Sequence, residues 1–154
     1  MGKRTGDSKR KSAHFGLPIQ GQLPFPHEGL HFDLKAILKR INSEYFSNRL
    51  PRNYKIIWGQ RRKKRPSTTF IFASIQEQDR IIKVHPLLDA PFVPLWFMEY
   101  VIYHEVLHAF VPEEYTASGR RIVHTREFYR RESQFRFYRK ARRWETENLG
   151  RFLR

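Results

Sequence analysis

Three observations in the sequence predict an α+β domain. Apolar residues recur at helical spacing between Leu34 and Phe46. Short β-rich runs follow between Tyr54 and His85. Beyond them, Leu95 to Phe110 is an apolar stretch too long for a buried strand, and it holds the string HEVLH.

Taken in order, Asp33 is a candidate N-cap, and Leu34, Ile37, Leu38, Ile41, Tyr45 and Phe46 form one apolar face of the first helix. Asn48-Arg49-Leu50-Pro51 ends it. Tyr54 to Trp58 reads as a strand closed by Gly59. Arg61 to Pro66 is too charged to bury and belongs in a loop. Thr68 to Ile75 and Arg80 to His85, parted by Gln76-Glu77-Gln78-Asp79, complete a small antiparallel sheet built from hairpins. Pro86 to Pro94 connects to the helix Leu95–Phe110, with Pro112 just beyond its end. A polar loop containing Ser118-Gly119 leads to one long basic helix from about Thr125 to Leu149, carrying Phe128, Phe135, Tyr138 and Trp144. Ahead of all this, residues 1–29 are basic, hold several prolines and show no apolar period. They are expected to be a disordered or extended arm, leaving residues 30–154 as the domain.

Composition narrows the chemistry. With 154 residues, 40 % hydrophobic and 13 Phe, the chain can build one core. It has no cysteine, which excludes a disulfide scaffold, a thiol nucleophile, an Fe–S cluster and any Cys-ligated zinc finger. No apolar run approaches the roughly 20 residues of a membrane span, and no apolar segment follows the basic N-terminus as in a secretory signal. A soluble, cytoplasmic protein with no membrane partner is expected. The 30 Lys and Arg against 15 Asp and Glu give +15 at pH 7, an excess that favours polyanionic partners.

HEVLH, His104 to His108, carries the most specific signal. Residues four apart share a helix face, so His104 and His108 can grip one metal ion from adjacent turns. Glu105 is offset by about 100 degrees, beside the ligands rather than among them, where it can take a proton from an attacking water. The competing explanation, two core histidines and a chance glutamate, would bury three polar groups on an apolar helix at considerable cost. A third ligand must come from downstream. His124 is favoured, because Phe128 one turn later can anchor it against the core; Glu127 and Glu132 are the carboxylate alternatives. Val111 and Glu114 stand where a metzincin would need Gly and His. Tyr115, between the ligands, is a candidate oxyanion donor, although a surface tyrosine is the simpler reading.

The arrangement resembles the SprT/Spartan-type minimal metalloprotease domain of the zincin superfamily. The matching pieces are a helix ending in Tyr45-Phe46, Asn48-Arg49-Leu50-Pro51, Ile57-Trp58-Gly59, Ile81-Ile82-Lys83-Val84 with Leu87, His104-Glu105-Val106-Leu107-His108-Ala109, and His124-x-x-x-Phe128. They span roughly residues 33 to 140, and the histidine series is the specific part. The resemblance implies a zincin-like fold, zinc held by His104, His108 and His124, Glu105 as the catalytic base, and protein substrates crosslinked to DNA. Two departures stand out: no cysteine is present to form the zinc ribbon many relatives carry, and Val123 precedes the third histidine where glycine is usual.

Two dense basic clusters remain. One is the loop Arg61, Arg62, Lys63, Lys64 and Arg65; the other is the ten Lys and Arg between Arg120 and Arg143. Solvated surface charge would explain part of this, but the excess exceeds what solubility requires. Non-specific DNA or RNA binding is expected, with the Arg61–Arg65 loop as a contact site. The expected function is zinc-dependent peptide hydrolysis near nucleic acid. The alternative is a non-enzymatic nucleic-acid-binding module in which a metal only staples two helices.

Overall fold

The computed structural model describes residues 26–60 and 68–153. The basic loop Arg61–Arg65 and most of the expected arm lie outside the described residues. Residues 26–29, assigned to that arm, are hydrogen-bonded to the domain. Trp58 N–H donates to the Pro26 carbonyl at 2.8 Å and Leu34 N–H to that of His27 at 3.0 Å. Nearby, the Asp89 carboxylate accepts from the N–H groups of Leu30 (2.6 Å) and His31 (2.8 Å). A Cβ on Gly29 would fall 2.5 Å from that carboxylate, so any larger residue would have to displace the Asp89 side chain from these bonds.

Helix α1 (Leu34–Phe46) begins at Asp33, whose side chain accepts from Lys35 and Ala36 N–H. It ends at Ser47, in the left-handed region with φ 51°. The Asp33 N-cap contributes about 1 kcal/mol. Burial of Leu34, Ile37, Leu38 and Ile41 at about 1.5–3 kcal/mol each outweighs it, so packing holds α1 in place.

Strands β1 (Lys55–Trp58), β2 (Ala73–Gln76) and β3 (Ile81–Val84) form one sheet in the order β1-β3-β2. The hairpin β2–β3 is antiparallel as expected, with Ile75 opposite Ile82. The pairing of β1 with β3 is parallel, which corrects the all-antiparallel expectation. The reason is burial: Ile82 and Val84 are fully buried, so β3 takes the central position and reaches it running in the direction of β1. The β2 ladder is also shorter than the run from Thr68. Phe72 turns its ring onto Phe97 and Phe152, at centroid distances of 5.4 and 5.3 Å.

A 3₁₀ turn (Pro86–Leu88) leads to α2 (Leu95–His108), which stops two residues before the expected end. Nine of its residues are buried, as befits a helix apolar all round at the centre of a fold. The polar loop after it contains a small hairpin, β4 (Glu114–Tyr115) and β5 (Arg121–Ile122), turning at Gly119 with φ +79°.

The expected single C-terminal helix is two helices, α3 (Arg126–Glu132) and α4 (Tyr138–Leu153). Ser133 caps α3, its hydroxyl donating to the Arg130 carbonyl at 2.8 Å. In the bend, Phe135 inserts between Tyr45, Tyr100 and Tyr103, with ring centroids 5.4, 5.7 and 5.2 Å away. One straight helix from Thr125 to Leu149 would run about 37 Å, far beyond the roughly 21 Å of α2. Breaking it lets both halves pack against α2. Among the described residues no helix is long and apolar enough to cross a membrane.

Candidate metal centre

Helix α2 presents His104 and His108 one turn apart. His124 reaches them from the segment between β5 and α3. It is held there because the next residue, Thr125, caps α3 by accepting from Phe128 N–H at 3.1 Å. Phe128 is fully buried and forms the floor beneath all three imidazoles, with centroid distances of 5.0, 4.5 and 4.7 Å to His104, His108 and His124. The Nε2 atoms of His108 and His124 are 3.2 Å apart, and one ring nitrogen from each of the three histidines falls within 4.8 Å of the others.

The donor set suits a metal ion. Burial pushes His108 down to about 3, and the neighbouring His104 and His124 push the same way. Burial also lowers His124. Both imidazoles are therefore neutral near pH 7, the form that ligates. Three imidazoles and no thiolate form a donor set that suits divalent transition metals as a class.

Glu132 does not join the cluster. It sits behind His104, its Oε1 2.6 Å from Nδ1 and 2.8 Å from the Tyr100 hydroxyl. Burial would raise the Glu132 pKa, but the hydrogen bonds from His104 and Tyr100 outweigh it and hold the carboxyl ionised. An ionised carboxylate only accepts, so Nδ1 of His104 carries the proton and Nε2 is left as the ligand atom. Glu127, the other carboxylate alternative, lies on the surface in ion pairs with Arg130 and Arg131. Replacing Glu132 by Gln should weaken metal affinity about 10- to 100-fold with little change in fold. Competition titration against a calibrated chelator measures this, and unchanged affinity would show that Glu132 does not orient His104.

Glu105 is almost fully buried. Burial raises it to about 7, opposed by His104 and by the Ile75 backbone amide of β2. A carboxyl poised there can hold or release a proton near neutrality. Glu105 lines a cavity of about 920 Å³ together with all three histidines. One wall is apolar, made by Phe70, Phe72, Phe97 and Val101; Arg142 and Glu145 of α4 and the ion pair of Glu113 with Arg121 add charge around it. Tyr115 is not part of this lining. It is 65 % exposed, and its hydroxyl turns to Glu113 at 3.5 Å.

Sequence reasoning weighed Glu132 as a ligand and missed its position behind His104. A usable signal existed, because Phe128, already read as the anchor beside the histidines, and Glu132 are four apart and so share one face of α3. Tyr100, one turn before His104, was also missed.

Fold and site together define an α+β protein with a three-histidine cluster and a buried carboxylate opening on one cavity. Comparison with protein-family models, curated proteins and solved structures gave no match.

Proposed function

We propose that the protein is a zinc-dependent metallopeptidase of the HExxH type, acting on protein substrates near or crosslinked to nucleic acid. The observation that carries this reading is the convergence of His104, His108 and His124 on one point, with Glu105 lining the same cavity. His104, His108 and His124 would hold the zinc ion, which when bound polarises the scissile carbonyl and acidifies a water molecule. Glu105 accepts the proton of the attacking water and passes it to the leaving amine. Glu132 holds His104 in one orientation throughout.

The sheet supports a peptide substrate. Strand β3 occupies one edge of β2, and among the described residues no strand pairs with the other edge. Ala73, Ser74 and Ile75 of β2 line the cavity, so an extended peptide can add there as a further strand beside Glu105. The resemblance to SprT/Spartan-type domains supports the same reading, and the +15 charge supports a nucleic-acid partner.

The alternative, a metal that only staples the fold, calls for four protein ligands, whereas three leave an open position. Among the described residues the cluster contains three. The deciding experiment is digestion of unfolded and DNA-linked proteins with the zinc-loaded protein. Cleavage that a chelator abolishes and added zinc restores is expected. A protein that holds zinc yet cleaves none of these substrates would favour the stapled module.

A further inference from the structure

On the face of the molecule made by α4 and the start of α2, aromatic rings and cations alternate. Arg136 lies over the Phe137 ring, 5.0 Å from its centroid. Lys140 stands 4.4 Å over Trp96 and 5.8 Å from Phe137. At the far end Arg151 lies 4.7 Å over Phe92. Trp144 joins the two ends, stacked on Phe92 at 6.3 Å and edge-on to Trp96 at 6.4 Å. Phe92 is 39 % exposed although it is a large apolar side chain, and Arg136, Lys140 and Arg151 are all exposed.

We infer that this stripe is a binding surface for single-stranded nucleic acid. The inference rests on the nucleic-acid part of the functional reading and is independent of the peptidase part. A cation held over a ring can turn N–H groups to phosphate, and exposed rings and guanidinium groups offer faces on which unpaired bases stack. Such alternation of stacking platforms and cations is what tracks a single strand, whose bases are open, and a duplex hides those base faces. Lys140 and Arg151 are about 16 Å apart along the helix, a span of several nucleotides. The balance of charge is positive: Arg143 lies at the margin of the same face of α4, against Glu147 within it and Glu99, which is near Arg136 and already paired with Arg40. Arginine and lysine covering apolar rings also occurs as simple packing, so the test must separate packing from binding.

The full chain is titrated with a labelled oligo(dT) strand of about 16 nucleotides, the upper end of single-strand site sizes, and with a duplex of equal length. The single strand is expected to bind at least about tenfold more tightly and to quench tryptophan fluorescence. The triple substitution Arg136→Gln, Lys140→Gln and Arg151→Gln should weaken single-strand binding at least tenfold. It should also reduce the slope of log affinity against log salt by about 2, at about 0.7 per phosphate contact. Phe92→Leu keeps the apolar contact with Trp144 but removes the ring. It should weaken the single strand about fivefold or more and leave the salt slope unchanged. Thermal melts must match wild type for both variants. Lys35→Gln, Lys39→Gln and Lys55→Gln together remove equal charge elsewhere and should have the smaller effect. Equal losses in the two triple variants, or equal binding of duplex and single strand, would overturn the assignment. If only neutralising Arg61–Arg65 weakens binding, this surface fails and the nucleic-acid reading stands. If neither nucleic acid binds in a salt-dependent way, both fall.

Discussion

Glu105→Gln should leave a folded, zinc-loaded protein whose peptidase activity is lowered by at least about 100-fold, within the range for loss of a general base. The substitution keeps the size of the side chain and removes its basicity. The carboxyl is nearly buried and burial lifts it to about 7, so the neutral amide matches in charge the protonated form that the free protein already populates near neutrality. Stability should therefore change little, which separates a chemical effect from a folding effect. Wild type and variant are compared on several unfolded or DNA-linked proteins, with zinc content measured in both. Equal cleavage by the two would mean that the activity is a contaminant or that Glu105 is not the base.

The second large effect concerns the metal itself. Purified protein should contain close to one zinc per chain, and His108→Ala should remove it almost completely. His108 touches both other members of the cluster: its Nε2 is 3.2 Å from that of His124, and its ring is 5.1 Å from that of His104. Loss of one imidazole leaves two ligands, too few for tight binding at a site of this kind. Elemental analysis of freshly purified protein provides the measurement. Full zinc content in His108→Ala, or none in wild type after zinc is supplied, would defeat the metal assignment. His124→Ala is the companion experiment, because it separates His124 from its former rival Glu132. Retention of zinc by His124→Ala together with its loss from Glu132→Ala would place the carboxylate among the ligands.

Local sequence signals reached some elements and not others. The Asp33 cap and the apolar period of α1 act within a few residues of each other, so that helix was legible almost to the residue. The β2–β3 hairpin was equally local. The position of β3 between β1 and β2 was not legible, because it depends on which strand the helices bury most deeply. The break between α3 and α4 was hidden for a related reason. Phe128 and Phe135 lie seven residues apart, so helical periodicity runs straight through Ser133, and only the length of α2 makes the bend necessary. At the site, HEVLH was readable because one helix turn sets the spacing of His104 and His108. The contact of Glu132 with His104 joins positions 28 residues apart and exists only once α3 has folded back.

The hairpin between the ligands has a consequence for the lifetime of the chain. His108 and His124 are 16 residues apart, yet their ring nitrogens nearly touch. Bringing the ends of a loop of that length together costs chain entropy on folding, and an ion gripping both ends in the folded state would offset that cost. Its contribution would grow with free metal, by about 1.4 kcal/mol for each tenfold rise above the dissociation constant. The tip at Ser118, Gly119 and Arg120 is exposed, which makes it the natural point of attack for cellular proteases. On the proposed reading, zinc supply would then govern how long each molecule survives as well as how fast it works.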